Sequence, residues 1–286
     1  MTFMRPAGIV PAGRLSRRLR IGRAGVFAAG GVLAALNAQA DPLISALRYQ
    51  PFLVTFVWLG GISAVTWFAM FAALKVGLEG QSGPLSSRDM AILAIVTFFA
   101  FIPAAYAGSA GVLLAGSYLF ATSRSGAADH RVALVLLALT GPLVWGHIIL
   151  NLFAAPILAL DAHMVGAAIG SSVDGNVVRF VGSEKSFLIG GPCSSVHNIS
   201  LAIVLWASAA SLFSIRLDRR YVAVGLAMIA WMFLLNIGRL ATIGWFPSDF
   251  EYLHDGSGAA LFGFAGLIGA ALLVGVGVVS ADKRQG

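Results

Sequence analysis

The chain is poor in charge and almost without cysteine. Only 11% of its 286 residues are Asp, Glu, Lys or Arg, where a soluble globular domain carries about 25%. That shortage excludes a conventional solvated surface over the whole chain. A single cysteine, Cys193, excludes an intramolecular disulfide and a cysteine-rich metal centre. No cofactor and no metal ligand set is expected. The spare thiol is either apolar filler or a reactive group, and composition does not choose between them.

What is present is apolar, at 58% of residues. It comes in continuous runs of about 17–25 residues, the length that crosses a bilayer as a helix. A chain in lipid must satisfy its own backbone polar groups, so helices or a closed barrel are the only choices. Barrel strands alternate apolar and polar residues, and these runs do not. The formal charge of +7 and pI near 10.2 raise the question of nucleic acid. The basic residues fall between apolar runs and form no single face. Nucleic acid is therefore set aside, and the pattern is read as the positive-inside bias of membrane proteins.

Eight apolar segments are expected, at roughly 24–40, 52–74, 90–105, 107–121, 132–158, 193–215, 221–243 and 257–280. The fold class is an all-α polytopic membrane protein, a bundle of about eight transmembrane helices with a small extracytoplasmic β-hairpin. Residues 90–121 admit one long bent helix or two helices parted near Pro103, Tyr106 and Gly108. The Gly/Pro clustering favours the break, and charge decides. With eight spans and the N-terminus inside, only Arg48, Arg179, Lys185 and Arg239 lie outside, and the other 15 of the 19 basic residues lie inside. Seven of the 12 acids fall outside: Asp41, Asp161, Asp174, Glu184, Asp249, Glu251 and Asp255. Fusing 90–121 into one span would erase the bias.

The chain then divides into a basic cytoplasmic N-terminus (1–23), N-terminal transmembrane helices (24–158), an extracytoplasmic loop with the hairpin (159–192), the helices carrying the candidate site (193–280) and a cytoplasmic tail (281–286). Arg-rich residues 14–23 and the Ala38-Gln39-Ala40-Asp41 ending of the first run look like a signal peptide with a small-residue cleavage site. The other reading, a retained first span, is preferred. In the loop, Val177–Val181 and Ser186–Ile189 flank Gly182-Ser183-Glu184-Lys185 and read as a β-hairpin leading straight into Cys193. It is a cap or substrate platform, or a plain surface hairpin.

Cys193 follows Gly190-Gly191-Pro192 and opens a helix expected from Ser194. A helix start carries unpaired N–H groups and partial positive charge, which favour a thiolate. Arg239, in Asn236-Ile237-Gly238-Arg239, sits near the outer end of the seventh span, where an arginine needs a partner, a watery cavity or the interface. It is a charge stabiliser or a snorkelling anchor. His254, just before the last span, is a candidate proton shuttle or an ordinary loop histidine. Topology sends all three to one membrane depth. His197 is the rival base or a substrate contact, four residues after Cys193 on the same helical face. Ser194 and Asn236 are supporting residues. His147 and Asn151 form an i, i+4 pair near the middle of the fifth span, where polar groups usually bond to neighbouring helices. His130 and His163 carry no readable signal.

Cys193-Ser194-Ser195 opening one span, Asn236-Ile237-Gly238-Arg239 ending the next and His254 before the last resemble the exosortase/archaeosortase family of membrane-embedded cysteine enzymes. The resemblance covers about residues 132–280. Ser195 stands where that family often has glycine. The resemblance implies a cysteine peptidase or transpeptidase, with Cys193 as nucleophile completed by Arg239 and His254. Its partners would be secreted proteins ending in a sorting signal: a short motif such as the PEP type, a transmembrane helix and a basic tail. The resulting thioester would pass to a lipid or glycan acceptor, or to water. The protein would lie in the cell (inner) membrane with its site facing outward, among membrane lipids. The alternative is a non-catalytic membrane subunit of an export or exopolysaccharide-assembly system, with Cys193 as filler. A transporter ranks below both, because no membrane-embedded acid accompanies His147 and Asn151.

Overall fold

The structure is a computed structural model that describes residues 22–49, 59–254 and 256–282. The Arg-rich N-terminus, the start of the expected second segment (52–58), Asp255, Lys283 and Arg284 lie outside the described residues. Among the described residues the chain is mostly helical: α1 (Arg23–Ala38), α2 (Ala40–Tyr49), α3 (Ala64–Glu79), α4 (Ser87–Phe101), α5 (Ala105–Thr122), α6 (Ala128–Thr140) and α7 (Gly146–Ile169). A small sheet follows, of β1 (Val173–Asp174), β2 (Val177–Arg179) and β3 (Ser186–Leu188), then α8 (Ser195–Leu212), α9 (Arg219–Trp245), α10 (Phe250–His254) and α11 (Ser257–Asp282).

Among the described residues, four helices are long and apolar enough to cross a membrane: the continuous stretch Ala128–Ile169, then Ser195–Leu212, Arg219–Trp245 and Ser257–Ser280. The chain therefore reads as a membrane protein. Residues 90–121 form two helices. Ile102 takes an extended conformation (ψ 123°), as the residue ahead of a proline does, and α5 starts afresh at Ala105. The expected segment 132–158 is longer than foreseen and irregular. A π-turn at Gly141–Trp145 carries Pro142 and joins α6 to α7. Pro156 denies a donor to the turn before it, and Phe153 leaves helical geometry there (φ −127°, ψ 25°).

Beyond that kink α7 continues to Ile169, so the loop expected over 159–192 starts near Gly170, which closes the helix in a left-handed conformation (φ 67°). In the structure Asp161 is buried. The hairpin is present, with Val178 opposite Phe187. The short strand β1 adds a third, unforeseen edge, pairing Val173 with Val178.

Two hydrophobic cores organise the chain. The larger joins α1, α3, α4, α5, α6, α8, α9 and α11 around Phe27, Leu119, Leu136 and Met228. Small residues let these helices approach closely; a Cβ on Gly108 would stand 2.5 Å from the Ala34 carbonyl oxygen of α1. The smaller core gathers the end of α7, the sheet, the end of α9 and α10 around Phe187, Ile189, Cys193 and Ile243. The candidate site belongs to this second core.

At the opposite end, Arg23 at the start of α1 is clamped by two carboxylates. Its Nε donates to Asp89 at 2.7 Å and its Nη1 to Asp129 at 2.9 Å, with side-chain exposures of 11%, 5% and 13%. Thr122 and Tyr118 complete the network, through bonds from Arg23 to Thr122 and from Tyr118 to Asp89. Asp89 also closes a capping box with Ser86 at the start of α4. One guanidinium thus ties α1, α4, α5 and α6 together. Arg23→Ala leaves two buried carboxylates unpaired and is expected to cost about 3–5 kcal/mol. Lys75→Ala, which breaks an exposed pair with Glu79, is expected to cost under about 1 kcal/mol. Thermal unfolding of the two purified variants in one detergent checks the contrast, and equal midpoints contradict it.

Candidate active site

Cys193 does not begin a helix. It ends a 3-10 turn, Gly191–Cys193, in which its N–H donates to Gly190 O at 3.0 Å and the Ser194 N–H to Gly191 O at 3.1 Å. Ser194 is extended (φ −66°, ψ 147°) and caps α8, its hydroxyl accepting from the Val196 N–H at 3.3 Å. The following N–H, of Ser195, donates to Asp161 Oδ2 at 3.1 Å, and the Ser195 hydroxyl donates to Asp161 Oδ1 at 2.8 Å. This corrects the expectation of free N–H groups acting on the sulfur. Residues 193–196 all have their N–H groups engaged, and the partial charge of the helix start is met by a buried carboxylate.

The extended Ser194 also breaks the shared helical face expected for Cys193 and His197. His197 lines a separate pocket of about 460 Å³ with His147, Asn151 and Pro142. The space exists because the π-turn and the kink bend the α6–α7 stretch beside α8.

His254 is the residue that meets the sulfur: Cys193 Sγ lies 3.1 Å from His254 Nε2. Cys193 is only 7% exposed. The imidazole is placed by a run of rings from the hairpin. Phe187 packs on Phe180 at 4.9 Å, Phe180 meets Phe250 edge-on at 6.4 Å, and Phe250 stacks on His254 at 5.0 Å and 10°. The hairpin is tied to α9 and closed on itself ahead of the cysteine. Val181 N–H donates to Gly244 O of α9 at 3.0 Å. Asn176 grips Ile189 at both backbone groups, at 2.9 Å each.

Asn236, expected only as support, is central. Its side-chain amide donates to the Cys193 carbonyl at 2.9 Å and to the Ser195 hydroxyl at 3.3 Å. Its oxygen accepts from Asn198 at 3.2 Å and from Arg239 Nη2 at 3.5 Å. Arg239 is thereby linked to the cysteine loop through Asn236. Arg239, Pro192, Asn198 and Phe262 line a pocket of about 150 Å³, on the α9–α11 side of Pro192, whereas His197 lies on the α7 side. Among the described residues no carboxylate pairs with Arg239. No three His, Cys, Asp or Glu side chains there converge as a metal site would need.

Asp161, Asn198 and Phe250 carry this arrangement and were not singled out in the sequence. Asp161 had a signal: it is one acid inside an apolar run that continues to Ile169, and a buried acid in such a run needs a partner. Asn198 sits four residues after Ser194 with no comparable signal. Asp161→Ala strands the Ser195 N–H and hydroxyl, and is expected to lower stability by about 1–3 kcal/mol. Asp161→Asn, which retains one acceptor oxygen, is expected to lie between. Thermal unfolding of the three proteins gives the order, and an unchanged midpoint in the alanine variant contradicts it.

Neither a family model, nor a curated protein, nor a solved structure matches the chain.

Proposed function

We propose that the protein is an exosortase-like membrane cysteine peptidase or transpeptidase. One observation carries the reading: the sole cysteine and His254 are in hydrogen-bonding contact at 3.1 Å, with a guanidinium attached through Asn236. A thiol beside an imidazole, with a fixed cation nearby, is the set that covalent acyl transfer requires. The substrate class is a secreted protein with a C-terminal sorting helix and basic tail, whose scissile bond meets Cys193 at the membrane boundary.

In the first half-reaction the thiol proton passes to His254 Nε2 as sulfur attacks the scissile carbonyl carbon. The oxygen becomes an oxyanion. The N–H groups of Cys193, Ser194 and Ser195 are already engaged, so Arg239 is left as the donor for that charge. His254 returns its proton to the leaving amine, the C–N bond breaks, and a thioester remains. In the second half a lipid or glycan amine or hydroxyl, or water, attacks the thioester and gives its proton to His254. The sulfur leaves and regains a proton.

The same reading sets the chain in the cell membrane with eight spans, the four long helices supplemented by the shorter apolar ones. Arg23, Arg88, Arg124, Arg131, Arg216, Arg219 and Arg220 lie toward the end remote from Cys193. The positive-inside bias makes that end cytoplasmic and turns the site outward.

The test is mass spectrometry of the C-terminus of a candidate secreted protein, coexpressed with variants held at equal abundance. Cys193→Ala is expected to abolish processing. His254→Ala is expected to slow it by about 10²–10⁴-fold, and Arg239→Gln by about 10²–10³-fold. His197→Ala is expected to retain most activity. Processing by Cys193→Ala at the wild-type rate overturns the catalytic reading, and loss confined to His197→Ala overturns the assignment of the base.

A further inference from the structure

A second polar pocket lies at the end of the molecule remote from Cys193, and the proposed reaction makes no use of it. It has a volume of about 510 Å³, within the range of small-ligand sites. The start of α6, the end of α8 and the loop leading to α9 enclose it. Arg131, Arg216, His130, Ser211 and Ser214 contribute its polar groups, and among the described residues no acidic side chain lines it. The carboxylates nearest in sequence are committed elsewhere. Asp129 pairs with Arg23, and Asp218 caps α9 by accepting from the Tyr221 N–H at 2.8 Å.

Among the described residues, two buried groups in this pocket lack partners: the Arg131 Nε and the Ser211 hydroxyl make no hydrogen bond, and Ser211 is only 1% exposed. Such groups are rarely left unsatisfied without a reason. Arg131 Nη1 is held in place by the Ser211 carbonyl at 3.2 Å and by the Ser214 hydroxyl. Capping the C-terminus of α8 explains that one nitrogen. It does not explain the remaining donors, the second arginine or the volume in front of them.

Ser214 adds an independent sign. The Ile215 N–H bonds to Ala210 O at 2.8 Å and the Ser214 N–H to Ser211 O at 3.4 Å, which is the Schellman closure of a helix. The closure puts Ser214 at φ 55°, a conformation that glycine takes without cost and serine does not. The hydroxyl is kept against that cost, and it faces Arg131 in the pocket.

We propose that this pocket binds a phosphate group, held by Arg131 and Arg216 with the Ser211 and Ser214 hydroxyls donating to its oxygens. Basic pockets between membrane helices hold lipid headgroups in this way, and arginine is suited to phosphate by its planar fork of donors. The phosphate comes from an anionic phospholipid of the adjacent leaflet or from free phosphate in solution. The proposal stands apart from the cysteine chemistry.

The test uses the full chain in nanodiscs. Thermal unfolding is compared in phosphatidylcholine alone, in phosphatidylcholine with phosphatidylglycerol, and in phosphatidylcholine with inorganic phosphate. The wild type is expected to gain about 3 °C or more in one of the last two. A gain with phosphatidylglycerol identifies the lipid source, and a gain with phosphate the soluble one. Ser214→Gly, which relaxes the backbone and changes no charge, and Arg216→Gln are each expected to lose more than half of the gain. Arg88→Gln, at the same end but outside the pocket, is expected to keep it. No gain in either condition overturns the proposal, and so does a gain undiminished in both pocket variants.

Discussion

The contact between Cys193 and His254 depends on two separate chain segments being delivered to one point. The sulfur hangs from a tight turn ahead of α8, and the imidazole from a five-residue helix ahead of α11. Neither support is rigid alone. A short helix has too few internal bonds to hold its own place, and a 3-10 turn fixes only its own three residues. The second hydrophobic core supplies what both lack. It packs Cys193, Ile189, Phe187 and Leu253 into one cluster with the ends of α7 and α9. The rings of Phe180 and Phe250 carry that rigidity from the hairpin to the histidine.

Polar groups then fix what apolar packing leaves free. Asn236 reads the backbone of Cys193 and the hydroxyl of Ser195, and shares its oxygen with Asn198 and Arg239. Asp161 secures the same serine from the opposite helix. A network in which each member satisfies another is worth more than its separate bonds in a medium of low dielectric. The Ser195 hydroxyl is the point at which α7, α8 and α9 are joined. The N–H groups of Ser195 and Val196 at the start of α8 are spent on this frame.

Much of this was legible in the sequence, and the reasons differ by element. The helices at Arg23–Ala38, Ala105–Thr122, Ser195–Leu212, Arg219–Trp245 and Ser257–Asp282 followed from apolar run length, and the break near Pro103 from Gly/Pro clustering and the charge bias, whereas Ala40–Tyr49 was not foreseen and the expected 52–74 segment is an α-helix only from Ala64 among the described residues. The hairpin followed from two β-branched or aromatic runs around Gly182-Ser183-Glu184-Lys185. The meeting of Cys193 and His254 was readable because each lies just ahead of a long helix; Arg239 lies within its helix, six residues before Trp245. Three other things were not legible. Asp161 and His163 disguised the last turns of α7, because polarity at a helix end resembles a loop. The i, i+4 relation of Cys193 and His197 presumed a helix that begins two residues later. The aromatic run from Phe187 to His254 joins residues far apart in the chain, and no local pattern announces such a contact.

The proposed chemistry rests on proton exchange between Cys193 Sγ and His254 Nε2. Since Cys193 is the sole cysteine, its alkylation by iodoacetamide can be followed without interference. At neutral pH the wild-type thiol is expected to react at least about tenfold faster than the thiol of His254→Ala, because only the thiolate is the nucleophile. Equal rates in the two proteins, both folded, would contradict it.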